Sequence, residues 1–148
     1  MQDAAYKDLM LALGSVVRID DPQALAEHGQ IVVDDIRFSL YPGQDDRLLV
    51  YCDFGLPPEE RRADALSALL ETNLFMFDGS GPTFAINPES GHVIFADHYS
   101  TTQLDGELLA AVLAKLAKDA TEWRRTYFLD DTPEAVQPTT NGSNQLRL

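Results

Sequence analysis

The apolar positions along the chain switch between helical and alternating spacing, and the switches mark out its elements. From Ala4 to about Ile19, residues Tyr6, Leu9, Leu13, Val16 and Val17 share one helical stripe while Lys7, Asp8 and Ala12 fall elsewhere, which predicts an amphipathic helix. The segment DDPQALAEHGQ then reads as a connection. QIVVDDIRFSLYPG holds two extended pieces; in the second, Ile36, Phe38 and Leu40 alternate with Arg37, Ser39 and Tyr41, as in a strand with one wet face. RLLVYCDF predicts a third strand that is apolar on both faces, with Leu48, Val50, Cys52 and Phe54 on one and Leu49 and Tyr51 on the other.

LPPEERRADALSALLETNLFMF places prolines and acidic residues where a helix begins, followed by Leu66, Leu69, Leu70 and Asn73 at helical spacing. GPTFAINPESGHVIFA predicts two strands joined at NPESG, one carrying Phe84 and Ile86 and the other Val93 to Ala96. The last helix is traced by Leu109, Val112, Leu113, Leu116, Ala120, Trp123 and Tyr127, with Asp105 as N-cap and Leu104 and Leu109 as a hydrophobic staple. From Asp130 to Leu148 periodicity is lost, so residues 1–129 are expected to form one domain and 130–148 a flexible tail. The order is helix, three strands, helix, two strands, helix. It predicts an α+β fold, an antiparallel sheet packed with helices, and excludes a doubly wound sheet. Strands that are apolar on both faces need cover on both, from the chain's own helices or from another chain.

Composition narrows the partners. The 148 residues carry a formal net charge of −13, a surface that repels nucleic-acid phosphates and anionic lipid. No stretch is long and apolar enough to span a membrane, and the amino-terminal residues Asp3, Lys7 and Asp8 do not read as a secretory signal. The single cysteine, Cys52, rules out an internal disulfide and fits a reducing compartment. Its place in an apolar strand predicts a buried thiol.

The chemistry-bearing residues do not assemble into a motif. GSGP at 79–82 is followed by neither a lysine nor a helix, so it cradles no phosphate, and Ser80 lacks a strand-to-helix elbow. Turn geometry accounts for Gly79, Ser80 and Gly81. His92 and His98 share a strand face but sit about 20 Å apart at the extended rise, so they hold no common metal. Asp97 and His98 point to opposite faces, and His28 lies in a separate segment. No catalytic residue, metal site or cofactor is expected. The competing reading is a small-molecule-binding or hydrolytic α+β domain that draws His92, His98 and Asp97 into one pocket.

The stretch LSALLETNLFMFDGSGPTFAINPESGHVIFADHYSTTQLDGELLAAVLAKLAKDATEWR, from Leu66 to about Trp123, resembles the Tir-chaperone family of class I type III secretion chaperones. The resemblance lies in a two-leucine helix ending in Asn-Leu, a glycine-bearing turn, two strands about a second turn, and a Leu-Asp step into a long helix carrying Trp. It implies a bacterial cytosolic homodimer without enzymatic activity that holds the amino-terminal region of a secreted effector in an extended, secretion-competent form. It further implies a dimer interface on the second helix and its neighbouring strand, here Leu66, Leu69, Leu70, Phe84 and Ile86. Client contacts are implied on the first helix and the sheet, here Leu9, Leu13, Val16, Ile36, Phe38 and Leu40.

Overall fold

The computed structural model describes residues 2–129; the tail expected over 130–148 lies outside them. Helix α1 (Gln2–Val17) leads into α2 (Pro22–His28), then β1 (Gln30–Val33), β2 (Ile36–Pro42) and β3 (Arg47–Gly55). Helix α3 (Arg62–Met76), β4 (Thr83–Ile86), β5 (Val93–Ser100) and α4 (Gly106–Thr126) complete the fold. The predicted order therefore holds, with one addition: the segment read as a connection is the short helix α2. Asp21 caps it, its side chain accepting from Ala24 N at 3.1 Å, and Pro22 occupies its first turn. Both are helix-start signals. Gly29 ends it in the left-handed region at φ 70°, where a side chain would also strike the Leu40 carbonyl.

The five strands form one antiparallel sheet in the order β1-β2-β3-β5-β4. Two-residue loop chemistry sets the first hairpin: Asp34 and Asp35 both take positive φ between β1 and β2, the backbone of a type I′ turn. Alternation then sorts the side chains. Ile31, Ile36, Phe38, Leu40, Leu48, Val50, Cys52, Phe54, Val93 and Phe95 are buried beneath α1 and α4. Trp123 of α4 closes this core against Phe54 at a ring separation of 5.8 Å. Gly106, whose missing side chain lets α4 approach the Ala12 backbone, brings α1 and α4 into contact.

The opposite sheet face keeps Leu49, Tyr51, Ile94 and Ala96 only half-buried, and Tyr41 is exposed. The chain's own helices thus cover one of the two apolar faces that the sequence predicts for β3.

Candidate partner-binding surfaces

The histidines go to separate structural tasks. His92 Nδ1 lies 2.8 Å from Asp53 Oδ1, tying the β4–β5 turn to the end of β3. His98 Nε2 donates to the Ser80 carbonyl at 2.9 Å and anchors the loop after α3. Asp97 faces the other way, toward a cavity of about 330 Å³ between α3, β5 and α4 that Phe54, Phe84, Phe95 and Tyr99 help to line. Burial, and then the neighbouring Asp97, push the Tyr99 phenol up. The Cys52 thiol, buried against α4, is pushed up to about 12, chiefly by burial, which removes the thiolate that reactivity needs. Among the described residues no group of three or more His, Cys, Asp or Glu could hold a metal ion. His92, His98 and Asp97 do not converge on one pocket.

What the fold does offer is backbone and apolar surface at the two ends of the sheet. Leu40 N donates to Gly29 O at 2.7 Å, and the register runs Gln30↔Ser39, Ile31↔Phe38, Val32↔Arg37. In an antiparallel pair hydrogen-bonded and non-hydrogen-bonded positions alternate, so the main-chain groups of Gln30 and Val32 face away from β2, along the free edge. Beside that edge runs a mostly apolar trough of about 630 Å³ between α2 and β1, walled by Ile19, Ala24, Leu25, Ile31 and Val32 with Asp21, His28, Gln30 and Arg37 among them. Val32 is 59% exposed.

At the far end, α3 lies along β4. Leu66, Leu69, Leu70, Phe84 and Ile86, the residues expected at a dimer contact, line one groove of about 290 Å³ with Asn73 and Ala85. Leu70 is 68% exposed, and the apolar surface continues along α3 through Leu74 and Phe75 to Phe77. Large exposed apolar side chains gathered along a helix and just past its end mark a surface suited to a partner.

The client set expected from the resemblance is placed differently. Leu13, Phe38 and Leu40 have no exposed surface, Ile36 has 1% and Leu9 has 5%. In this chain they are core, because α1 and α4 lie directly over the face that carries them. Only Val16, at 41%, presents its side chain outward. The alternation that marks a buried strand face is the same whether the cover comes from within the chain or from outside. The better signal for a partner is the QIVV strand itself, largely apolar and free of the charges or proline that usually blunt an edge.

Comparison with known proteins places this arrangement. The profile of the Tir chaperone protein (CesT) family matches residues 18–124. The Yersinia pestis type III secretion chaperone SycH, solved with a stable fragment of YscM2, superposes with a TM-score of 0.58 at 20% identity, covering 79% of this chain and 98% of that one. A chain of the HopA1–SchA chaperone–effector complex gives 0.59 at 20% identity, over 83% and 95%. One from the ExoT–SpcS complex of Pseudomonas aeruginosa gives 0.54 at 20%, over 80% and 96%. At that identity the likeness is one of fold. No curated protein matches the chain.

Proposed function

The chain belongs to the Tir chaperone protein (CesT) family, and on that premise we propose that it is a type III secretion chaperone. It binds the amino-terminal region of a secreted effector as an extended segment and keeps it soluble and competent for export. The solved relatives with this fold, several of them chaperone–effector complexes, support the reading. The observation that carries it is the unpaired edge of β1 beside an apolar trough. An extended client that adds a strand there gains main-chain hydrogen bonds, and its alternate side chains fall into the trough. Burial of a few hundred Å² contributes several kcal/mol at roughly 25 cal/mol per Å². Ordering the client opposes that gain, so the contact must extend along the surface.

In this reading Val16, Ile19 and Val32 meet the client, while Leu9, Leu13, Ile36, Phe38 and Leu40 hold the helix and strands in place beneath. The chain works as a homodimer through Leu66, Leu70 and Ile86, with Leu69 and Phe84 supporting them from below. It acts in the bacterial cytoplasm and catalyses no reaction; no described helix is long and apolar enough to cross a membrane. Residues 1–129 form the working domain.

The test is purification of the tagged chain from its own bacterium grown to express its secretion genes, followed by limited proteolysis of what is retained. The expected result is one dominant partner, protected over a segment near its amino terminus and released by Val32→Pro. Recovery of the chain alone, or a partner bound through a folded domain, sinks the reading.

A further inference from the structure

The two ends of the sheet differ in a way that neither family membership nor the apolar pattern accounts for. Strand β4 pairs only with β5, in the register Phe84↔Phe95 and Ile86↔Val93, so its other edge should be as open as that of β1. It is not. The carboxamide of Asn73, on α3, stands against it: Phe84 N donates to Asn73 Oδ1 at 2.7 Å, and Asn73 Nδ2 donates to Phe84 O at 3.1 Å.

A residue of an edge strand presents one N–H and one C=O outward at every second position. A primary amide is the smallest side chain that carries an acceptor and donors side by side, and here it occupies both outward groups of Phe84, as a neighbouring strand would. On either side the sequence withholds donors. Pro82 and Pro88 flank β4 and have no N–H, which leaves Ile86 as the strand residue with an outward main chain still to offer.

We infer that Asn73 is an edge guard: its amide stands in for a sixth strand at β4, so that strand addition is confined to β1. The consequence for partners is specific. In the homodimer proposed above, a second copy meets the groove between α3 and β4 by apolar side chains, Leu70 and Ile86 foremost, and the dimer does not continue the sheet from one subunit to the next. A strand-forming segment, whether client or stray, is turned away from that groove and toward β1. The inference concerns the sheet itself and stands whether or not a client is found.

Hydrogen exchange on the full chain tests it. In the Leu70→Glu background, where the groove is denied a second copy, the Phe84 amide keeps its protection, since the bond is made within the chain. Loss of protection there would show that a partner strand had supplied it and overturns the inference. Asn73→Ala should speed exchange at Phe84 by about tenfold or more while Ala85, bonded to β5, is unchanged. The same variant should sediment as concentration-dependent species larger than the wild type through its unguarded edge. Asn73→Asp keeps the acceptor and so keeps the Phe84 amide protected. A folded Asn73→Ala protein with wild-type exchange at Phe84 and wild-type sedimentation overturns the inference; if that variant does not fold, the Leu70→Glu and Asn73→Asp measurements decide it.

Discussion

Strands β1 and β4 close opposite ends of one sheet, and each has about four residues with which to do it. Strand β1 leaves the main chain of Val32 facing out, with no charge or proline in QIVV and an apolar trough alongside. Strand β4 has its outward groups at Phe84 taken by a side-chain amide, prolines at both ends and a helix laid along it. Exposed strand edges invite pairing with any chain that passes. With the client and dimer surfaces proposed above, guarding one edge and leaving the other bare would separate the two associations, strand pairing at β1 and helix-face packing at α3. The difference teaches that apolar exposure alone does not say what kind of partner a surface takes; the state of the backbone beside it does.

The largest effect is expected beneath the open edge. Phe38→Glu puts a carboxylate where no surface is exposed, directly across from Ile31 of β1, and should cost upwards of about 4 kcal/mol and abolish the cooperative melt. A folded protein that merely loses its client would restore Phe38 to the binding surface. Val32→Pro removes an N–H that the ladder does not use, so the melt should shift little, yet client affinity should fall roughly a hundredfold. Equal loss from a proline substituted for Ile86 would erase the distinction between the edges. Leu70→Glu should weaken the dimer by about tenfold or more, seen as a shift to monomer in sedimentation, while a client segment still binds β1.

The smallest effect lies midway between the edges, at Cys52 on β3. Its thiol is held protonated to about 12 instead of the ordinary 9.0, mainly by burial. The unfolded chain releases that proton first, so stability should fall as pH rises above about 9 and go on falling toward about 12. Cys52→Ala should flatten that part of a stability profile measured by denaturant titration, with no change in client binding.

Much of this fold is legible in the sequence because its signals are local. Helix α4 declares itself by an unbroken stripe and by Asp105, whose side chain accepts from Leu108 N at 2.8 Å as an N-cap should. Helix α2 escapes because seven residues are too few to show a period, although Asp21, Pro22 and Gly29 mark both its ends. The site is less legible. Alternation at Ile36, Phe38 and Leu40 says that one face is dry and is silent about what dries it. The Asp53–His92 contact joins residues 39 apart in sequence, beyond the reach of any spacing rule. Asn73 did leave a trace: it follows Leu66 and Leu69 at helical spacing on α3 and is half-buried there, and a polar residue in that position needs a partner. Which backbone it finds there is a property of the folded chain.

The turn at Asp34 and Asp35 has a consequence of another kind. Fixed at one end by two left-handed residues and at the other by Gly29 against Leu40, β1 cannot slide against β2. A client segment added to β1 as proposed would therefore meet a set reading frame. Shifted by one residue, the same segment would turn its apolar side chains out of the trough and its polar ones in. Selectivity of a client bound as proposed would then reside in parity, in which of two alternating sets of client positions is apolar, and many unrelated sequences of the right parity would be accepted where a closely similar one, displaced by a single residue, would not.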